Sequence, residues 1–226
     1  MPFISASAIT PYNAIRGGAG GSFAFGNALI FDGVNDYVDN IGLSLSGLSF
    51  SASFWFEMGL TGSTQGLISD GTSSLFLRAN NEMRISDSND GAINISTSTS
   101  LNQKRNVLIV YDGTDIQVFF DGSEVLSKTT SSGFSGISVL GLRSGGFFNG
   151  KINEVAIAPN YVATTQDAID LYNGGNGALA TSILTGVSRY YRCNQADGSS
   201  PLVDTMGNQN GTLTNFTSPP AYFDTF

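Results

Sequence analysis

Between Asn106 and Leu126 the chain reverses twice on Asp-Gly pairs, and no other feature restricts its folding as tightly. Asn106-Val-Leu-Ile-Val-Tyr111 runs into Asp112-Gly113, Ile116-Gln-Val-Phe-Phe120 runs into Asp121-Gly122, and Glu124-Val-Leu126 returns. Glycine accepts positive φ without steric cost and aspartate bonds its own turn backbone, so Asp-Gly between apolar runs marks a tight reversal. Two such turns about nine residues apart predict a three-stranded antiparallel meander. A third, Asp32-Gly33, follows the apolar run Ala28-Leu-Ile-Phe31.

The period of two extends to Phe50-Ser-Ala-Ser-Phe-Trp-Phe56. Alternation puts Phe50, Ala52, Phe54 and Phe56 on one face and Ser51, Ser53 and Trp55 on the other. Leu67–Asp70, Leu75–Arg78 and Met83–Ser86 read as short strands between polar turns. The expected core between two sheets is Phe50, Phe54, Phe56, Ile109, Phe119, Val155 and Ile157. One helix breaks the pattern: Thr164 or Thr165 caps it, Asp167 lies in its first turn and Gly174-Gly175 stops it. Its apolar stripe is expected from Ile169 and Tyr172, with Leu171 beside them.

Composition narrows the chemistry. At 226 residues the chain has room for a sizeable core. A net charge of −8 argues against gripping a phosphate backbone, so nucleic acid is not an expected partner. Nor is a membrane, since no apolar run reaches spanning length. With no histidine, imidazole triads and imidazole zinc sites are excluded. Cys193 is the single cysteine, which rules out an intrachain disulfide and reads as a buried thiol.

Several stretches resemble laminin-G-like domains, the concanavalin A-like lectin/glucanase sandwiches. They are Phe31-Asp-Gly-Val-Asn-Asp-Tyr-Val38, Ser51-Ala-Ser-Phe-Trp-Phe56, Asp121-Gly-Ser-Glu-Val125, Gly150-Lys-Ile-Asn-Glu-Val155 and Leu171-Tyr-Asn-Gly174. Asn153 stands where the family more often has Asp. Asp204-Thr-Met-Gly-Asn-Gln-Asn-Gly-Thr-Leu213 resembles wording that usually precedes the first of these motifs; here it follows them. The order is either circularly permuted or the tail opens a second repeat, and termini lying close together make permutation the cheaper solution. The resemblance covers residues 28 to 215 and implies an all-β, antiparallel two-sheet jelly-roll sandwich with one short helix. It divides the chain into an arm, 1–27, and a sandwich, 28–226, closed by C-terminal strands.

The arm carries Phe3, Ile4, Ile9, Tyr12 and Ile15 ahead of Gly17–Gly21, and reads either as a leader or as a segment that docks on assembly. It lacks the positive start and unbroken apolar stretch of a secretory signal. A sandwich of extracellular type without that signal suggests a virion component, made in a host cytoplasm and released by lysis. The resemblance extends to bacteriophage structural proteins. The expected function is thus a non-enzymatic capsid-decorating or tail-associated module, homo-oligomeric or bound to other virion proteins, with possible polysaccharide binding. The alternative is a cellular or secreted glycan-binding lectin.

A glycoside hydrolase is disfavoured, because cleavage needs two carboxylates poised across the scissile bond. Glucanases of this fold supply them from one strand, and Glu57, Glu82, Glu124 and Glu154 do not fall in such a pattern. For sugar binding, an aromatic platform beside polar donors is the minimum. Trp55 with Arg78, Asn80, Asn81 and Arg84 is the best set, with Tyr37 a second platform; Trp55 reads more readily as a core residue covered by a loop. A structural Ca²⁺ would find oxygens at Asp32, Asn35 and Asp36, and the resemblance places Glu154 near them. Turn chemistry alone also accounts for Asp32 and Asn35.

Overall fold

Alternating apolar runs joined by tight turns build two stacked antiparallel sheets in the computed structural model, which describes residues 23–87, 91–130, 134–196, 200–216 and 223–226. The first sheet has eight strands among these residues. Its order is Ser123–Thr129, Asp115–Phe120, Lys104–Tyr111, Phe50–Met58, Asn149–Pro159, Asn27–Asp32 and Phe223–Thr225, with Arg189–Tyr191 also paired to Asn149–Pro159. The second has seven, ordered Thr212–Thr214, Tyr37–Asp39, Val139–Leu140, Gln65–Ser69, Ser74–Leu77, Glu82–Asp87 and Gly91–Ser98. Of the expected arm, residues 1–22, with Phe3, Ile4, Ile9, Tyr12 and Ile15, lie outside the described residues.

The meander forms as its turns predict, but the two Asp-Gly pairs work differently. Asp112 Oδ1 accepts from the N–H groups of Thr114 (2.8 Å) and Asp115 (2.7 Å), capping its own turn. Asp121 instead takes φ +51°, followed by Gly122 at φ +77°, the doubly left-handed turn that matches strand twist. Its carboxylate reaches the neighbouring strand, accepting from Asn106 N–H (2.9 Å) and from Arg105 (2.7 Å).

Between the sheets lie Phe50, Phe54, Phe56, Ile109, Val155 and Ile157, as expected, with Phe31, Leu67, Leu75, Val107 and Phe148. Phe119 corrects the expected list. It is 1% exposed, yet it packs on the outer face of the eight-stranded sheet with Leu108, Val110, Ala156 and Ala158. Period two requires this: Val118 and Phe120 enter the inter-sheet core, so Phe119 must point the other way.

A third layer covers that outer face. The helix Thr165–Tyr172 starts at the Thr164 cap, where the Thr164 and Asp167 side chains bond each other's backbone N–H. Ala168 and Leu171 press onto Phe119 and its neighbours, while Ile169 is 48% exposed, so the stripe is displaced from the one expected. Positions three apart share a helix face, and Ile169 falls off the face that Ala168 and Leu171 define. Asn173 ends the helix in the left-handed region at φ +47°.

Truncating Phe56, fully buried between the sheets, should destabilise by about 3–5 kcal/mol through lost transfer energy and the cavity left behind. Urea denaturation of Phe56→Ala checks this; a loss within 1 kcal/mol of zero would contradict so central a placement.

Candidate functional site

Among the described residues, the outer face of the seven-stranded sheet carries no helical layer like that on the other side, and a polar hollow opens on it. Leu75 and Leu77 point into the core, so alternation sends Ser74 and Phe76 outward; Ser86 and Arg84 emerge likewise beside Met83 and Ile85. Across these strands lies a small hairpin, Leu142–Arg143 paired with Gly146–Phe147. Its approach depends on Gly66, where any Cβ would come within 2.3 Å of the Arg143 backbone nitrogen. Ser69 Oγ holds the hairpin by donating to Leu142 O at 2.8 Å.

The hairpin lays Arg143 across the sheet. Its guanidinium carbon sits 3.8 Å from the Phe76 ring centroid, a cation–π contact. Nε donates to Ser74 Oγ at 2.9 Å, and Ser74 Oγ shares a hydrogen bond with Ser86 Oγ at 3.0 Å. The two terminal amino groups have no hydrogen-bond or carboxylate partner among the described residues. Arg143 lines a hollow of about 190 Å³ together with Ser69, Thr72, Ser73, Ser74 and Ser86. Burial lowers the guanidinium's proton affinity, with no carboxylate to offset it.

Asp70 starts the turn beside this hollow, but its oxygens are engaged elsewhere. Oδ1 accepts from the N–H groups of Thr72 (2.7 Å) and Ser73 (2.5 Å), and Oδ2 from Ser135 Oγ (2.8 Å) and Gly136 N–H (3.1 Å). Burial alone would push its carboxyl up, but these donors outweigh it and hold the group below its usual range.

The structure does not bring the expected sugar-binding residues together. Trp55 is 2% exposed on the outer side of the other sheet, stacked on Tyr172 (5.9 Å, 20°) and packed against Phe25 and Phe226. It offers no face to a ligand, and the two sheet layers separate it from Arg84. Arg78 pairs with Glu82 at 3.6 Å, Asn80 Oδ1 accepts from Glu82 N–H, and Asn81 takes φ +65°, so these three form a turn. Arg84 does lie on the open face, opposite Phe76, with its Nε buried and unpartnered. Tyr37 shares that face but stands four strand spacings from Arg84, about 19 Å.

Nor do the expected calcium ligands converge. Asp32 Oδ1 accepts from Val34, Asn35 and Asp36 N–H groups, and Asp32 O accepts from Asn149 Nδ2 at 2.7 Å. Asp36 Oδ2 accepts from Asp32 N–H, and Asn35 O from Asn215 Nδ2. Calcium takes about six to eight oxygens, and Asp32 Oδ1, Asp32 O, Asn35 O and Asp36 Oδ2 already accept backbone or amide donors. Glu154 sits elsewhere altogether. A bulge between Asn153 and Ala156 turns it, at φ +52°, toward the Tyr190 hydroxyl and Arg192 Nε (3.0 Å). No group of three or more acidic, histidine or cysteine side chains that could hold a metal ion forms among the described residues. The residues do not fit a calcium shell.

Sequence reasoning missed Gly66, Ser74, Phe76, Ser86 and Arg143. Phe76 was visible as the odd position between Leu75 and Leu77, but Arg143 reaches it only through a hairpin folded back from more than sixty residues away.

Comparison with known proteins agrees with this architecture. A family model described as concanavalin A-like lectin/glucanases superfamily matches residues 32–170. Among solved structures, a putative carbohydrate binding protein from Bacteroides ovatus superposes with TM-score 0.68 at 16% identity, covering 90% of this chain. This chain spans only 60% of that protein's length. A native heptameric SAP-like pentraxin from Limulus polyphemus gives TM-score 0.52 at 13% identity, covering 66% of this chain and 82% of its own. Domain 4 of an extracellular arabinanase from Geobacillus stearothermophilus, in complex with arabinotriose, gives 0.50 at 19%, covering 66% and 78%. No curated protein matches.

The Asp32 turn yields a pH dependence of defined sign. Burial raises the Asp36 carboxyl from 3.8 to about 6; the Asp32 N–H opposes this, and the Asp32 charge adds to it. The folded state therefore holds the proton more tightly than the unfolded chain. This group's contribution to stability is full below about 3.8 and is lost as pH rises through about 6. Asp36→Asn, whose amide can donate toward Asp32, should raise the Tm above pH 7, with the gain fading toward pH 4. A gain independent of pH would show that Asp36 is not the titrating group.

Proposed function

We propose that this chain, which belongs to the concanavalin A-like lectin/glucanase superfamily, is a non-catalytic carbohydrate-binding domain that holds its ligand on the open face of the seven-stranded sheet. The observation carrying this reading is the hydroxyl-lined hollow beside Arg143, on the sheet face that no helix covers among the described residues. Serine and threonine hydroxyls both donate and accept, which suits a sugar hydroxyl array. A volume of about 190 Å³ is below the ~300 Å³ at which drug-sized pockets begin, and so suits one sugar unit of a longer chain lying across the face. The fold neighbours that carry sugar-related descriptions support the same class.

The non-catalytic part rests on the carboxylates. Glu154 is 2% exposed and engaged by Tyr190 and Arg192, and Asp70 and Asp112 are engaged by turn N–H groups. Hydrolysis needs one carboxylic acid and one carboxylate about 5–10 Å apart at an accessible cleft. A glycan array followed by titration with the retained polysaccharides tests the proposal. Retention of at least one glycan, with no release of reducing ends, is expected. Absence of binding across the array would overturn the lectin reading, and release of reducing ends lost on changing a single Glu would overturn the non-catalytic one.

A finer reading places the domain in a virion, with residues 1–22 docking on a neighbouring subunit. It is favoured by Phe23 and Phe25, which meet edge-to-face at 5.0 Å, with Phe25 packed on Trp55 at 4.7 Å, so the preceding segment starts from a fixed point on the sandwich. Burying its large apolar side chains on a neighbour would contribute on the order of 1.5–3 kcal/mol each before ordering costs. Deleting residues 1 to 21 should leave the Tm nearly unchanged and abolish assembly or particle incorporation. Incorporation at wild-type occupancy would remove this reading and leave the lectin one intact.

A further inference from the structure

Three of the six arginines among the described residues are matched with carboxylates. Arg105 meets Asp121 at 2.7 Å, Arg192 meets Glu154 at 3.0 Å, and Arg78 meets Glu82 at 3.6 Å. Of the other three, Arg84, Arg143 and Arg189, it is Arg143 that is held in place: a partly buried guanidinium fixed at Nε and over an aromatic ring, in a chain of net charge −8, with no acid partner among the described residues. Removing a cation from water without compensation is costly, and such groups are ordinarily paired. The acid beside it, Asp70, is turned into its own turn and toward Ser135 and Gly136 instead.

We propose that Arg143 is the specificity-determining residue of the open face, and that the hollow takes an acidic saccharide whose carboxylate or sulfate docks on the two terminal amino groups of Arg143 while Ser69, Ser73 and Ser86 meet the ring hydroxyls. The proposal rests on the carbohydrate-binding reading above and names its ligand class. The planar fork presents two parallel donors that match an oxyanion bidentately, a geometry lysine cannot reproduce. Nε is already occupied by Ser74 and the ring of Phe76 lies beneath, so the fork is oriented before the ligand arrives and little side-chain entropy remains to be lost on binding. Arg84 reinforces the sign of the field. It emerges opposite Phe76 on the adjacent strand, and its buried Nε has no partner. Phe76 itself is 4% exposed. It serves as a plinth for the guanidinium and not as a stacking platform for the sugar.

The test uses the full chain and isothermal titration with four probes: an oligogalacturonate, the same oligosaccharide with its carboxyls reduced, a sulfated galactan oligosaccharide, and inorganic sulfate. The oligogalacturonate or the sulfated oligosaccharide should bind at least about tenfold more tightly than the carboxyl-reduced one, as loss of a charge-assisted bidentate contact implies. The responding probe identifies which oxyanion the site takes. Arg143→Gln and Arg143→Lys should both erase that preference without changing the Tm by more than a few degrees. Should Arg143→Gln fail to fold, amide chemical-shift changes in the wild type on adding the preferred probe must centre on Ser74, Ser86 and Arg143. Equal binding of acidic and reduced oligosaccharides overturns the inference and leaves the lectin reading standing. So does an acidic preference that survives Arg143→Lys, or shifts centred elsewhere. A response to inorganic sulfate with none to any saccharide overturns it as well, because the hollow would then be an anion site without a sugar. If no probe binds and the glycan array is also blank, both readings fall together.

Discussion

The strand Phe50–Met58 is buried on both of its faces, and the arrangement of the rest of the molecule follows from that demand. Its even positions, Phe50, Ala52, Phe54 and Phe56, supply the inter-sheet core. Its odd positions would otherwise leave Trp55 and two serines on an exposed sheet surface. Trp55 is covered by Tyr172 from the helical end, by Phe25 from the N-terminal side and by Phe226. Ser51 Oγ donates to Tyr161 O at 2.7 Å and accepts from Ala163 N–H at 2.9 Å, tying down the segment that leads into the helix. Two polar contacts and one aromatic cluster thus position a third layer that local helix propensity would not hold in place, since an eight-residue helix is well short of independent stability.

Covering one outer face leaves the other as the surface with room for a ligand. The open face is not a bare sheet. Gly66 lets a hairpin descend onto it, and the hairpin brings an arginine to strands that carry hydroxyls in register. Rigid elements hold the groups around the hollow: a strand pair below and a hydrogen-bonded hairpin above. Such a site changes little on binding. The opposite face, under the helix, is buried and apolar, with Phe119, Leu108, Val110 and Ala156 clustered with Ala168 and Leu171. The sandwich is therefore two-sided in chemistry as well as in shape.

The acidic residues show how one residue type takes opposite roles. Asp70 and Asp112 receive several backbone N–H groups, which favour the charged form and hold both carboxyls low, so each stabilises the fold when ionised. Asp36 is buried beside Asp32 with one oxygen unpartnered, and its charge opposes folding at neutral pH. Glu154 is raised as well, because burial outweighs the opposing pull of Tyr190 and Arg192. Reading these residues as a reservoir of metal ligands counts oxygens without asking which donors already occupy them.

What the sequence determined by itself was everything governed by neighbours along the chain. Asp-Gly turns, the split of Phe50–Phe56 into two faces, the Thr164–Asp167 cap and the buried Cys193 follow from alternation, local hydrogen bonding and composition. Laminin-G-like wording supplied the two-sheet architecture. Tertiary structure decided which face of each element would be covered, and by what. Phe119 went outward under the helix, Ile169 missed the stripe, and Trp55 turned from a candidate platform into a packed residue once Phe25, Tyr172 and Phe226 closed over it. Glu154 left the Asp32 turn because a bulge redirected it, and Asn149 reached that turn instead. Arg143 and Ser74 meet across 69 positions of chain. Alternation states that a side chain lies on one side of a strand or the other; only the packing of remote segments settles whether that side faces protein or water.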